Sequence, residues 1–582
     1  MDARVKELAD RLWGGDVAQR ITDRIDARRD AIAARHADGL GAADGFPINE
    51  QDAILITYAD SLRQEGVTPL ASMYHFVDEV CAGAISCVHL LPFFPYSSDA
   101  GFSISDYRRV RDDLGDWSGI GSLAGDYRVM VDLVLNHCSV EHPWFQDFLA
   151  GRAPGRDYFV TADPDADLRQ VFRPRAHPLL TRFETADGPR HVWTTFSADQ
   201  VDLDWSNPDL TVEMIDTLLE YLERGASIVR LDAVAFLWKR IGTNCLHLPE
   251  THAVVKLLRR VMELALPGSL LITETNVPHD ENISYFTDDD EAQLVYNFSL
   301  PPVVADALIR EDPSHLASWA GSLKAPGPGR CFFNFCASHD GIGLTPARGI
   351  LSDAERDQLI ASVQAHGGLV SYKATPSGQV PYELNINYLS AVADPALPAD
   401  QRARRFLLSQ AIMLAFAGVP GIYVHSLLGS ENWGQGPAQG LENRSINREQ
   451  LSLPAVETAL ADQNDLRAIV FQGYRDLLDA RAASSAFHPL SPQRVHPADT
   501  GLFVLERGPF GPDDERVLCL FNVGPAEAEW RAAVNDLPND RIVTDLVNGD
   551  RVYPSIEEHD YSLELLPGEF LWLFMGEKGE LD

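Results

Sequence analysis

At 582 residues the chain is too long for a single hydrophobic core and predicts several domains. Its formal net charge of −37, with only six lysines and arginine supplying most of the positive charge, excludes nucleic acid and anionic membranes as partners. Adaptation to a salty cytoplasm and a composition that simply favours arginine over lysine both fit this balance, and both stay open. The seven cysteines are odd in number, lack C-x-x-C spacing and sit mostly in apolar segments. Free thiols in a reducing compartment fit them better than a disulfide framework or a zinc site. Met1-Asp2-Ala3-Arg4-Val5-Lys6 opens a charged helical pattern rather than a signal peptide, and no apolar run nears the roughly 18 residues of a membrane span. A cytoplasmic monomer or homodimer is expected.

In chain order, residues 1–50 read as charged helices ending in a Gly-rich linker at Gly39-Leu40-Gly41, a packing extension. From Ala53 short apolar runs alternate with helical stretches: Ala53–Tyr58, Ser86–Leu91, Arg128–Val134, Ile228–Leu231, Leu270–Thr273, Ala292–Phe298, Cys331–Phe335 and Gly421–Val424, the last after an apolar helix over Phe406–Phe416. Strands buried on both faces and separated by helices predict an α/β (β/α)8 TIM barrel. Two stretches break the rhythm and are read as inserted subdomains: 138–209, rich in Pro, Asp, Arg and aromatics, and a loop-rich 342–404 containing Ala374-Thr375-Pro376-Ser377-Gly378-Gln379. The barrel parts are then 51–137, 210–341 and 405–483. Residues 484–582 turn to alternating strands (Gly501–Leu505, Arg516–Phe521, Phe570–Phe574) with a turn at Asn548-Gly549-Asp550, which predicts a C-terminal antiparallel β domain.

Three of the apolar runs lead into acids: Ile228-Val229-Arg230-Leu231-Asp232, Leu270-Leu271-Ile272-Thr273-Glu274, and Phe333-Asn334-Phe335-Cys336-Ala337-Ser338-His339-Asp340. Carboxylates are costly to bury, so acids at barrel-strand ends point into a polar site. Converging carboxylates without a cofactor suit cleavage of a glycosidic bond. Arg230, two residues before Asp232 on one strand, shares its face and is expected to keep that acid charged, making Asp232 the nucleophile. The apolar approach to Glu274 favours a protonated carboxylic acid there. Asn136 offers one oxygen toward a calcium cage, but no dense Asp/Asn cluster accompanies it, and no metal is expected.

Asp132-Leu133-Val134-Leu135-Asn136-His137, Arg230-Leu231-Asp232, Glu274 and His339-Asp340, in this order, resemble the four signature regions of the α-amylase superfamily (glycoside hydrolase family 13). Over most of residues 51–480 the chain is most similar to its sucrose phosphorylase subfamily. That likeness rests on Leu91-Pro92-Phe93-Phe94-Pro95, Asp99-Ala100-Gly101-Phe102, Phe172-Arg173-Pro174-Arg175, Gln200-Val201-Asp202-Leu203-Asp204, His339-Asp340-Gly341-Ile342-Gly343 and Asn443-Arg444-Ser445-Ile446-Asn447-Arg448. The resemblance implies a retaining double displacement with no metal and inorganic phosphate as co-substrate. Asp232, Glu274 and Asp340 would be catalytic. His137 and His339 would donate to sugar hydroxyls, Phe102, Phe196 and Phe236 would pack on the glucosyl ring, Asp99 and Arg448 would grip its outer hydroxyls, and Gln200 and Arg230 would complete the subsite. Arg175 and Tyr382 would meet phosphate.

The chain departs from sucrose phosphorylase in Glu274-Thr275-Asn276-Val277-Pro278-His279, with Asn276 in place of a histidine. It departs again in Tyr382-Glu383-Leu384-Asn385, read as a loop with Glu383 where a glutamine would contact fructose, and in its N-terminal extension. This wording resembles the glucosylglycerate phosphorylases of the subfamily, which implies an anionic glycerate acceptor met by Arg175, Lys373 or His279, with one flexible anion subsite serving phosphate and glycerate in turn. Sucrose phosphorylase, glucosylglycerol phosphorylase and an α-glucoside hydrolase or transglucosylase are the alternatives.

Overall fold

Parallel strands joined by helices have no solvent face, so each must be apolar on both sides, and here almost every strand residue is buried. In the computed structural model the eight barrel strands are β1 (Ile54–Thr57), β2 (Cys87–Leu90), β3 (Arg128–Val134), β4 (Ala226–Asp232), β5 (Leu270–Thr273), β6 (Leu294–Tyr296), β7 (Cys331–Asn334) and β8 (Val419–Tyr423). Each pairs in parallel with its sequence neighbours, and β8 closes on β1. The fold is the expected (β/α)8 barrel with a C-terminal antiparallel β region. The structure describes residues 1–37, 39–40, 46–175, 177–375, 378–498, 500–511, 514–533, 543–552, 555–557 and 560–575.

The N-terminal segment folds as α1 (Ala3–Leu12) and α2 (Val17–Arg35). The Asp2 carboxylate caps α1, accepting from the amides of Arg4 and Val5. Arg28 of α2 donates to both Asp216 oxygens at 3.0 and 2.9 Å, on the barrel helix Pro208–Glu223, and Arg108 reaches the same carboxylate at 3.0 Å. Between the two helices Trp13 donates its indole N–H to the Trp205 carbonyl at 2.9 Å and packs on Trp238. The extension is therefore stapled to the barrel wall beside the segment that follows β4.

The first insertion, between β3 and Pro208–Glu223, contains the helix Pro143–Leu149, the hairpin Leu180–Thr185/Gly188–Trp193, and the pair His137–Ser139/Gln200–Asp202. The second is more ordered than a loop-rich reading allows. It holds the helix Asp353–Ala365, closed by a Ser352/Glu355 capping box, and the hairpin Leu369–Thr375/Gly378–Asn385, which extends a short strand at Ile342–Gly343. Pro376 and Ser377 lie outside the described residues. Tyr382 and Glu383 thus sit on a strand, not in a loop. The helix read as Phe406–Phe416 begins earlier, at Ala399, because its first turns carry polar residues that an apolar count passes over.

Toward the C-terminus, Gln493–Val495, Leu502–Arg507, Arg516–Asn522 and Phe570–Met575 build one antiparallel sheet with Val543–Asp545 and Arg551–Val552. The turn between the last two is closed by the Gly549 amide on the Asp545 carbonyl, with Gly549 at φ 71°. All seven cysteines are buried and unpaired. Among the described residues no helix is long and apolar enough to cross a membrane.

Candidate active site

β4, β5 and β7 lead to one cavity at the carboxyl-terminal end of the barrel, the face where such folds carry their chemistry. Asp232 is the last residue of β4, and Glu274 follows directly on β5. Asp340 lies beyond the end of β7, on the turn after Ser338, whose hydroxyl accepts the Asp340 amide. All three carboxylates line the cavity. Immediately after Asp232 the chain turns through the left-handed region at Ala233 (φ 51°), aiming the Ala233 N–H at Glu274 Oε2, 3.0 Å away. A non-glycine residue held there carries strain, and here the turn brings the β4 and β5 ends into register.

Arg230 Nη1 donates to Asp232 Oδ1 at 2.8 Å and also to Asp132, which accepts a second hydrogen bond from His89 at 2.9 Å. Arg230 pulls on Asp232 in the expected direction, but it is shared with Asp132. Burial pushes Asp232 well above the usual carboxylate range; Arg230, shared with Asp132, pulls it back only partly, and Glu274 pushes it further. Glu274 is likewise raised by burial, against the pull of Arg230. Interacting acids of this kind titrate as a pair. Asp340 is the opposite case. Burial would raise it, but Arg444, seconded by His339, Arg448 and Arg230, holds it well below its ordinary value. Burial lowers His339 well below, and His137 below, the ordinary imidazole value.

The other expected residues fall into three groups. Asp99, Phe102, His137, Phe196, Gln200, Arg230, Phe236 and His339 line the cavity together. Phe102 stacks on His339 with centroids 4.9 Å apart, and Gln200 donates to Asp99 at 3.0 Å. Asp99 and Ala100 both adopt left-handed backbone, followed by Gly101, where any Cβ would meet the Pro92 carbonyl oxygen at 2.7 Å. On the other side Arg175, Tyr382, Asn276 and Lys373 also face the cavity. Arg175 donates to the Tyr382 hydroxyl and lies over the Tyr382 and Phe196 rings at 5.1 and 5.9 Å. Tyr382 gets there as the extra residue of a β-bulge: Ser371 pairs with Glu383 and Tyr372 with Pro381.

Three expected residues do not line this cavity, although Arg448 Nη2 lies 3.8 Å from Asp340 Oδ1. Glu383 has no exposed side chain and does not line the cavity; it accepts Arg444 Nε at 2.9 Å and Nη2 at 2.6 Å. Arg448 donates to the His339 carbonyl at 2.7 Å and faces an adjoining cavity that shares Asp99, not the main one. His279, at the start of a short helix after Pro278, packs against Phe332 and does not line the cavity.

The residue that sequence reasoning missed is Arg444, whose Nη1 lies 2.6 Å from Asp340 Oδ1 while its other nitrogens grip Glu383. It stands inside the Asn443–Arg448 motif, and that was its only signal. Lys239 was missed too. Its buried ammonium bridges Asp202 at 2.8 Å and Asn136 Oδ1 at 2.6 Å, so a cation already sits where an Asn136-based cage would need one. Among the described residues no cluster of His, Cys, Asp and Glu could hold a metal.

Fold and site together define a barrel enzyme that works on glycosidic bonds. Residues 81–318 match the family model described as the α-amylase catalytic domain. The chain is 49% identical, over 98% of both chains, to a glucosylglycerate phosphorylase of Spirochaeta thermophila. It is 46% identical to one of Allomeiothermus silvanus, over 82% of this chain and 87% of that one. The solved sucrose 6F-phosphate phosphorylase of Thermoanaerobacter thermosaccharolyticum superposes with a TM-score of 0.71 at 24% identity, over 81% of this chain and 94% of that one, which speaks to the fold. The chain belongs to the α-amylase family, glycoside hydrolase family 13, and within it to the sucrose-phosphorylase-like phosphorylases.

Proposed function

We propose that the protein is a retaining phosphorylase of 2-O-α-D-glucosyl-D-glycerate, releasing D-glycerate and α-D-glucose 1-phosphate in a reducing cytoplasm. The observation that carries phosphorolysis over hydrolysis is Arg175. It faces the same cavity as the three acids, touches Tyr382, and has no carboxylate partner among the described residues. A guanidinium fork left open beside a sugar site suits phosphate. The seven unpaired thiols support the compartment.

In the first half-reaction the Asp232 carboxylate attacks the anomeric carbon. Glu274 gives its proton to the glycerate oxygen as the bond to the sugar breaks. Both acids are raised, and the hydrogen bonds differ: a guanidinium 2.8 Å from Asp232 favours the anion needed for attack, whereas Glu274 accepts from a neutral backbone N–H. Asp340, kept ionised by Arg444, accepts from the ring hydroxyls as positive charge develops on the sugar. In the second half-reaction phosphate, oriented by Arg175 and Tyr382, attacks the glucosyl–Asp232 ester and Glu274 takes up the proton. Two inversions return the α-anomer.

Incubating the enzyme with α-glucose 1-phosphate and D-glycerate, fructose, glycerol or fructose 6-phosphate, and scoring phosphate release, tests the assignment. Glycerate should give the fastest release and 2-O-α-glucosylglycerate as product. Arg175→Ala should raise the phosphate KM roughly tenfold or more while slow hydrolysis persists. Preference for an uncharged acceptor overturns the glycerate reading, β-glucose 1-phosphate as product overturns double displacement, and an unchanged phosphate KM places the phosphate contact elsewhere.

A further inference from the structure

The acceptor half of the cavity holds a second cation that the phosphate contact does not use. Lys373 is buried, lines the cavity, and has no carboxylate within ion-pair reach among the described residues. Among the described residues it donates to the Thr345 hydroxyl, at the outer limit of a hydrogen bond, 3.5 Å. Burial lowers its pKa, and the positive charge of Arg348 lowers it further, with no acid offsetting either. A buried ammonium without a counter-charge is costly, so a site that keeps one is completed by an anion from outside.

Lys373 and Arg175 contact different rings of one aromatic cluster. The Lys373 ammonium is 5.3 Å from the Phe172 ring centroid. Phe172 lies 6.1 Å from Phe236, and Phe236 lies 5.3 Å from Phe196, over which Arg175 sits. One hairpin delivers both contacts, Lys373 from its first strand and Tyr382 from its second. Asn276, just after β5, also lines the cavity, and its buried Oδ1 has no hydrogen-bond partner among the described residues.

Building on the glucosylglycerate reading, we infer that the acceptor half contains two separate anion positions, with Lys373 and Thr345 binding the glycerate carboxylate while Arg175 and Tyr382 bind phosphate. Asn276 Oδ1 is placed to accept a glycerate hydroxyl. Lys373 is then a specificity-determining residue: it selects a small carboxylate over an uncharged polyol of similar size, and the two anions do not share one subsite in turn.

The test uses α-glucosyl fluoride as donor, so that formation of the glucosyl-enzyme does not depend on a glycerate leaving group. The C1–F bond breaks with release of fluoride. The Asp232 carboxylate takes C1 as an ester and Glu274 loses its proton to solvent; the acceptor oxygen then bonds to C1 as that ester bond breaks, and the acceptor's proton passes to the Glu274 carboxylate. Transfer to D-glycerate, glycerol and phosphate is measured for the wild type, Lys373→Met, Lys373→Arg and Arg175→Ala. Lys373→Met should lower the glycerate-to-glycerol and glycerate-to-phosphate ratios of kcat/KM at least about tenfold, a charged hydrogen bond's share. Lys373→Arg should recover part of both, and Arg175→Ala should move the glycerate-to-phosphate ratio the other way. Ratios within one preparation are insensitive to the folded fraction. A wild type that uses glycerate while Lys373→Met keeps both ratios overturns the Lys373 subsite alone. Phosphate and glycerate transfer falling in step in Lys373→Met overturns the two-position arrangement. A wild type blind to glycerate overturns the substrate reading and this subsite with it.

Discussion

Replacing Glu383 by glutamine changes almost no volume at a side chain that does not line the cavity, yet it should damage the chemistry through Arg444. Both Glu383 oxygens are engaged by Arg444, at 2.9 and 2.6 Å, and the third arm of the same guanidinium holds Asp340 at 2.6 Å. Glutamine keeps one acceptor and turns an amide NH2 toward an arginine N–H, so one charged hydrogen bond is lost and a donor faces a donor. Such a bond is worth about 1.5–3 kcal/mol, and unpairing a buried ion pair costs about 3–5 kcal/mol. Because Arg444 retains Asp340, the lower figure applies, about 3 kcal/mol. If half of that falls on the bound sugar, kcat/KM drops about tenfold, at 1.4 kcal/mol per decade. Freed of its second carboxylate, Arg444 competes harder for Asp340 and leaves that acid less available to the ring hydroxyls. The decisive assay is hydrolysis of α-glucosyl fluoride with no acceptor present, together with the thermal midpoint. Loss in both is expected. Full hydrolytic activity with altered glycerate KM would mean that Glu383 contacts the acceptor after all, and the reasoning from Arg444 would fail.

Glu274→Gln should cripple turnover of glucosylglycerate while sparing α-glucosyl fluoride, whose leaving group needs no proton; equal loss on both would remove Glu274 as the acid. The same variant should be more heat-stable than the wild type at neutral pH. Glu274 keeps its proton in the folded state above the ordinary value of 4.5, so between 4.5 and the raised value the native state binds more protons and stability falls as pH rises. The advantage of Glu274→Gln should therefore open above pH 4.5 and grow with pH, and a gap independent of pH would contradict it. Lys239→Met should leave Asp202, which is fully buried, without its ammonium, at a cost of about 3–5 kcal/mol. Limited proteolysis should then cut first within the insertion that carries Asp202, and wild-type resistance would show the bridge to be dispensable.

The barrel was legible because parallel strands under helices must be apolar on both faces: all eight runs were visible, and Arg128–Val134 and Leu270–Thr273 to the residue. Asp232 and Glu274 were legible as acids where apolar strands end. Where Glu383 points was a matter of how its segment was read. A loop reading gives neither side chain a direction; on the strand, with Tyr382 the extra residue of the bulge, Tyr382 meets Arg175 while Glu383 turns back to Arg444. What no local pattern contains are the partners themselves. Glu383 and Arg444 are 61 residues apart, and Asn136 and Lys239 are 103 apart. Nor does any pattern show that Lys373 has no ion-pair partner among the described residues. The sequence determines which charges exist and which strand ends carry them. Only the closed barrel and its two insertions decide which charges are paired, because pairing depends on distances across the fold that the order of residues does not record.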